Sequence, residues 1–374
     1  MEKVMKIAIL GATNIKHMSL LSHYLQTIDL NKNVVDIIYT DKYGIDEKLK
    51  GINKYHKFNV QISNKMNFVR KAIEYLKFKP FAERIIKDEQ YDFIIVWGSY
   101  TAHLFKGLLI KKYKEKYIVN IRDYFFEKNK IIKYRMKKVV DNSFLTTLSS
   151  EGFLKFLPKS SQKYQVVFSV NKSIIENSKK NSNFNFKIPI RIGFIGNVRF
   201  FEMNKLLMES LRNDSRYILQ FFGTGSEILE EYALNQGIKN VECKPAFSIN
   251  ETSELLDQVD VINNIYGNNS MALDNALSIR MYYSLYLRKP LLTSPNTLTS
   301  NEAKKFGLSF DVDEGRYEDL GNQLEKWINK LNFDEIDLKC SHYIEKIDKS
   351  NNEFYQIING RFNNEDIQLV NTNR

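Results

Sequence analysis

The sequence predicts an α/β protein built from two parallel-sheet domains, and three observations carry that expectation. The length of 374 residues corresponds to about two domains, each with room for its own core. Apolar runs end in glycine turns at Gly11, Gly98, Gly196 and Gly223, the pattern of buried strands feeding loops. Residues 259–296 then read as strand, helix, strand. A strand starting at Val259 meets a turn at Gly267-Asn268-Asn269. An apolar-faced helix follows, with Leu277, Met281, Ser284 and Leu285 at i, i+4, i+7, i+8 spacing. Pro290 ends that helix after Arg288-Lys289, and residues 291–293 form the second strand. Such a unit puts the helix start and the strand ends on one rim of the sheet, where α/β proteins bind ligands. A helix N-terminus with Arg280 near its first turn suits a phosphate group.

Composition narrows the class. Hydrophobic content of 43% and charged content of 26% describe a soluble globular chain. Cys243 and Cys340 stand far apart with no CxxC pair, which excludes a disulfide framework and a structural zinc and fits a reducing cytoplasm. No apolar run approaches the ~18–20 residues of a membrane-spanning helix. Met1-Glu2-Lys3 leads straight into the first strand, so no signal peptide is expected and the chain reads as cytoplasmic.

The net charge of +11 is concentrated: residues 101–140 hold twelve Lys or Arg against Glu115, Asp123 and Glu127. Phe105, Leu108, Phe125, Phe126, Ile131 and Ile132 are interleaved with them. An anionic membrane leaflet attracts such a surface at about 1 kcal/mol per cation. The plainer reading is two solvated lysine-rich helices. No nucleic-acid motif accompanies the patch, so nucleic acid is not an expected partner.

Along the chain, a first strand ends at Gly11-Ala-Thr-Asn, a turn like those that bind dinucleotides. The later glycines of G-x-G-x-x-G are missing, which argues against NAD. A short helix at 19–25, a strand at 34–40 and a helical stretch over 64–90, broken near Lys79-Pro80, come next. Strands at 91–97 and 116–121 follow, the latter ending in Arg122-Asp123. Ser149 or Ser150 caps the helix after the next strand, and a last strand spans 165–169. Residues 171–188 are polar and aperiodic, as in a linker.

The second half opens with a strand, Gly196-Asn197 and a helix over 205–211, the layout of a phosphate cradle with Arg199 and Lys205 as nearby cations. A strand at 217–222 ends in Gly223-Thr-Gly225, and Ser226 is the expected N-cap of a helix over 226–236. Helices over 251–258, 316–331 and 341–360 are expected, with a frayed end over 361–374. Asp311-Val-Asp313 matches a metal-binding D-x-D in form only, and reads as a solvated turn.

Asp260, Asn263, Asn264, Tyr266 and Gly267, followed by Arg280, Tyr282, Lys289 and Pro290, carry a resemblance. They resemble the nucleotide-sugar segment of GT-B glycosyltransferases, of the family-4 type, that build bacterial surface polysaccharides. The resemblance implies two Rossmann-like domains facing across a cleft: residues 1–170 for the acceptor, a linker at 171–188, and 189–335 for the donor, with 336–374 crossing back. It implies transfer of a sugar from a nucleotide diphosphate to a lipid-linked oligosaccharide, at the inner face of the plasma membrane. No metal and no cofactor beyond the donor are implied.

Carried over residue by residue, Arg199, Lys205 and Arg280 would neutralise the leaving diphosphate. Gly196, Asn197, Gly223, Gly225, Tyr266, Asn275, Tyr282 and Tyr283 would line the donor site. Asn14, His17 and Arg122 would meet the acceptor, and Asp123 would act as base toward its hydroxyl. Retaining relatives carry two glutamates where this chain has Asn275 and Tyr283, with Asp274 one residue off. A non-catalytic partner subunit of another transferase, or a nucleotide-sugar epimerase, therefore stays open beside the transferase, as does a homo-oligomer.

Overall fold

A computed structural model of the chain describes residues 4–18, 20–61, 66–67, 73–160 and 163–363, apart from the side chains of 314–316. Part of the helical stretch expected over 64–90 and most of the tail expected to fray thus lie outside the described residues.

The chain divides into two compact units, Met1–Phe168 with Lys349–Arg374, and Ser169–Asp348. Among the described residues unit 1 holds seven strands: β1 (Met5–Gly11), β2 (Asn33–Asp41), β3 (Lys54–Asn59), β4 (Phe93–Trp97), β5 (Tyr117–Ile121), β6 (Leu145–Leu148) and β7 (Tyr164–Val166). Their order is β3-β2-β1-β4-β5-β6-β7 and every pairing is parallel. β4 and β5 are buried along their whole length, because helices cover both faces of a parallel sheet and no solvent-facing row of side chains remains. Ile9 lies beside Ile37 on one flank and Ile95 on the other, at the centre of the core.

Unit 2 holds β8 (Ile190–Ile195), β9 (Tyr217–Phe222), β10 (Val241–Lys244), β11 (Val261–Asn264), β12 (Leu291–Thr293) and β13 (Ser309–Asp311). Their order is β10-β9-β8-β11-β12-β13, again all parallel. The strand order reverses between β1 and β4 in unit 1 and between β8 and β11 in unit 2. Outside the carboxyl ends of such neighbouring strands a doubly wound sheet has a crevice.

Several expectations change. Strand β3 was not legible in Lys54-Tyr-His-Lys-Phe-Asn, whose residues are only partly buried. The Asp36 carboxylate fixes it by accepting from the Asn53 side chain at 2.8 Å and the Lys54 amide at 3.0 Å. The helical stretch does break next to Pro80, at the turn of Lys77 between 73–76 and Phe78–Glu89, and Pro80 sits in the first turn of the second piece, where its missing N–H costs nothing. The expected linker contains the helix Lys172–Glu176, capped by Asn171. Leu277 is not helical: a short helix, Met271–Asn275, stops at the extended Ala276, and a second, Ile279–Leu287, starts from Ser278. Ser226 is not the N-cap of its helix; Gly225 is, in a left-handed conformation.

The last helix, Phe333–Phe362, runs thirty residues rather than starting at 341. Its final part belongs to unit 1, where Phe354, Ile358 and Phe362 enter the core. There Asn351 accepts from the Phe168 amide at 2.8 Å and donates to its carbonyl at 3.2 Å. Among the described residues no helix is long and apolar enough to cross a membrane.

Candidate functional site

The crevice of unit 2 is shaped by glycine. After β8 the chain turns at Gly196 (φ +118°), and after β9 at Gly223 (φ +135°) and Gly225 (φ +96°). The two turns pack backbone against backbone: the Gly196 amide donates to the Phe222 carbonyl at 2.9 Å and the Val198 amide to that of Thr224 at 2.9 Å. A Cβ on Gly223 would stand 1.9 Å from the Gly196 carbonyl oxygen, and one on Gly225 would stand 2.5 Å from that of Val198. Only glycine fits either place.

A Cβ on Gly196 would meet something else, the guanidinium of Arg280, at 2.9 Å from Nη2. Arg280 lies in the first turn of Ile279–Leu287, and the Ser278 hydroxyl that caps this helix accepts from the Arg280 amide at 3.3 Å. That hydroxyl donates in turn to the Asn264 carboxamide at 2.6 Å, so the last residue of β11 sets the helix start. The guanidinium donates to the Ile195 carbonyl and the Tyr266 hydroxyl, and stacks 3.9 Å from the Phe194 ring centroid.

Arg280 is only 6% exposed, and no carboxylate among the described residues lies within 4.0 Å of it. Its Nε finds no hydrogen-bond partner among them either. Burial pushes its pKa down to about 9, with the Arg199 charge acting in the same direction and Tyr283 opposing. At that value it stays cationic at neutral pH. Burying a cation without a counter-charge is expensive. A cation placed in this way can serve as a counter-charge to a bound anion.

A second layer holds the turn. Asn263, on β11, donates to Asn204 at 3.0 Å; Asn204 donates to the carbonyls of Arg199 and Phe200 at 3.0 and 3.1 Å. The Phe200 ring lies 4.7 Å from Tyr266, and the Ser294 hydroxyl accepts from the amides of Tyr266 and Gly267 at 3.1 and 2.8 Å. Asn204, Ser278, Ser294, Phe194 and Phe200 escaped the sequence reading, since they act only through contacts made by folding.

Of the donor residues expected from sequence, Gly196, Gly223, Gly225, Tyr266 and Arg280 meet here, with exposed Arg199 and buried Tyr283 felt electrostatically. Burial raises the Tyr283 hydroxyl to about 12. Asn197 is exposed beside the turn. Tyr282 is fully buried as a core residue, unsuited to touching a ligand. Asn275 is buried and donates to the Met271 carbonyl at 3.0 Å. Lys205 is paired with Glu202 at 2.9 Å, its ammonium 5.1 Å from the Tyr232 ring centroid. Asp311 is no solvated turn: it accepts from Thr293 and Ser300 at 2.8 and 2.5 Å and pairs with Lys304. Lys289 is buried and donates to the Val259 carbonyl at 2.6 Å.

In unit 1, Asn14 is buried and donates to Asp41 at 2.7 Å while accepting from the Lys42 amide at 3.2 Å; it staples two loops. His17 is exposed, 3.2 Å from the Tyr43 hydroxyl. Arg122 donates to Asn120 and to the Val167 carbonyl, both at 3.2 Å, and Asp123 is exposed at the carboxyl end of β5.

No family model matches the chain, and no curated protein sequence matches it significantly. Solved structures do match. Sucrose-phosphate synthase of Thermosynechococcus elongatus superposes with a TM-score of 0.68 at 9% identity, covering 96% of this chain and 100% of that one. A glycosyltransferase of Rickettsia africae gives 0.64 at 12% identity, covering 98% and 100%. Anabaena HepE, in complex with UDP and glucose, gives 0.62 at 11% identity, covering 96% and 98%. With seven and six parallel strands in two Rossmann-like units, and likeness over nearly its whole length to these structures, the chain has the GT-B fold.

Proposed function

We propose that the chain is a glycosyltransferase that moves a sugar from a nucleotide-diphosphate donor to a hydroxyl of a lipid-linked oligosaccharide, in bacterial surface polysaccharide synthesis. The observation that carries this reading is the buried, carboxylate-free guanidinium of Arg280 beside Gly196 and a helix N-terminus. The complex of a protein of the same fold with UDP supports a nucleotide diphosphate as the anion that Arg280 would meet.

In this reading the departing diphosphate gains negative charge as the glycosidic bond breaks. Arg280, exposed Arg199 and the amides of the first helical turn stabilise that charge in place, which lowers the barrier without a metal. Asp123 takes the acceptor proton if the configuration inverts. If it is retained, as in the relatives this chain resembles, the diphosphate oxygen takes that proton itself. The basic stretch 101–140 would hold the protein on the anionic inner leaflet, where a lipid-linked acceptor resides.

The test is thermal denaturation of wild type and Arg280→Ala with UDP-, GDP-, CMP- and dTDP-sugars. A ligand at 100 times its Kd stabilises by about 2.7 kcal/mol. One nucleotide class that stabilises only the wild type supports the reading and names the donor. No stabilisation by any of them rejects it and favours the non-catalytic partner, with Asn275 and Tyr283 marking a lost site.

A further inference from the structure

Phe200 stands in a conformation that a bulky side chain rarely takes. Its backbone is left-handed, at φ +61° and ψ +48°, and it opens the helix Phe201–Ser210 without a side-chain cap. Such strain persists only where the surroundings hold it. Asn204 holds it. This residue is fully buried, and its carboxamide nitrogen spends both hydrogens on the carbonyls of Arg199 and Phe200, at 3.0 and 3.1 Å. Its backbone amide donates to the Phe200 carbonyl as well, at 3.2 Å. The carboxamide oxygen accepts from Asn263 at 3.0 Å, and Asn263 is fixed in turn by accepting from the Ile265 amide at 3.0 Å. A residue needed only to fill the core would be apolar, with no polar atoms to desolvate.

The held turn gives two side chains defined places. The Phe200 ring packs on that of Tyr266, centroids 4.7 Å apart and planes 34° apart, and the Arg199 guanidinium lies 5.6 Å from the Phe200 centroid. At the other end the Arg280 guanidinium lies 5.5 Å from the Tyr266 centroid and donates to its hydroxyl. Two cations, one exposed and one buried, are thus linked through two packed rings that come from distant stretches of the chain. A diphosphate spreads its charge over two phosphoryl groups, so it rewards two cations at a fixed spacing, whereas a monophosphate needs only one.

We infer that Asn204 and Phe200 are positioning residues for the donor. Asn204 holds Phe200 in its left-handed conformation, and the Phe200 ring, packed on Tyr266, keeps Arg199 at the spacing from Arg280 that lets the site tell a nucleoside diphosphate from a monophosphate. This rests on the glycosyl-transfer reading for the identity of the ligand, but not for the hold on Phe200.

The experiment compares full-length wild type, Asn204→Leu, Phe200→Gly, Arg199→Ala and the double variant of Asn204→Leu with Arg199→Ala. Calorimetric titrations use the mono- and diphosphates of uridine, guanosine, cytidine and thymidine. Wild type should bind one diphosphate at least about tenfold more tightly than the matching monophosphate. Asn204→Leu should lose that preference, with the diphosphate weakened about tenfold and the monophosphate within about twofold of wild type. Phe200→Gly should lose it too, and glycine takes the left-handed turn without strain, so this variant decides the matter even if Asn204→Leu does not fold. In the Arg199→Ala background Asn204→Leu should weaken the diphosphate by less than about twofold more, because the group it positions is gone. A preference kept in both variants overturns the inference, as does equal weakening of mono- and diphosphate, or a full additional loss in the Arg199→Ala background. If wild type binds no diphosphate, the transfer reading fails on its own, and amide hydrogen exchange over residues 196–201 decides the hold. Exchange about tenfold faster in Asn204→Leu sustains it, and exchange at the wild-type rate overturns it.

Discussion

The guanidinium of Arg280 fills the space that a side chain at Gly196 would need, with Nη2 2.9 Å from where a Cβ would stand. The glycine turn and the arginine are thus one feature contributed by two distant stretches. Arg280→Met should leave the ligand-free protein as stable as wild type or more so, because it removes a desolvated charge that no carboxylate offsets. The nucleotide-sugar stabilisation of about 2.7 kcal/mol should vanish. Calorimetry with and without ligand separates the two effects.

Gly223→Ala should be costly at any ligand concentration. Its Cβ would overlap the Gly196 carbonyl oxygen at 1.9 Å, and φ is +135°. Strain and overpacking together predict a loss of about 2–5 kcal/mol. Gly107→Ala is the control: a Cβ there meets nothing within 4 Å, inside the helix Lys106–Lys112. It should stabilise by about 0.5–1 kcal/mol in urea denaturation.

Acid should weaken unit 1 through His103. Burial, with Arg135 and Lys106 adding repulsion, pulls its pKa down to about 4. The unfolded chain therefore binds more protons between about 6.5 and 4, and stability is lost as pH falls through that window. His103→Asn should remove about 2 kcal/mol of that slope in denaturation at pH 7 and pH 4. Glu127 works in the opposite direction: its raised pKa makes stability fall as pH rises past the ordinary carboxyl value, a loss that Glu127→Gln removes.

The basic stretch presents Phe126, Ile131 and Tyr134 to solvent at 61, 71 and 59% exposure, with the Lys138 ammonium 4.8 Å from the Tyr134 ring centroid. Phe126→Ser with Ile131→Ser should weaken sedimentation with phosphatidylglycerol vesicles at least tenfold, about 1.4 kcal/mol. Neutral phosphatidylcholine vesicles should bind weakly in both proteins. Equal binding of wild type and variant would mean the patch is merely solvated.

The sequence by itself determined most of the parallel strands, the glycine turns after β8 and β9, the stop before Pro290 and an arginine in the first turn of Ile279–Leu287. These follow from hydrophobic period, glycine placement and proline chemistry, which act over a few residues. Folding decided the rest. Which of three near neighbours faces the site was not legible, since each helical residue turns the side chain by about 100°: Arg280 meets Gly196, while Tyr282 enters the core. Nor was the edge strand Lys54–Asn59, held through Asp36, or the coupling of Asn263 to the Arg199–Phe200 turn through Asn204. The burial of Glu127 in a charged, loop-like stretch was equally hidden. Burial and pairing are set by partners far away in sequence, and no local pattern names them.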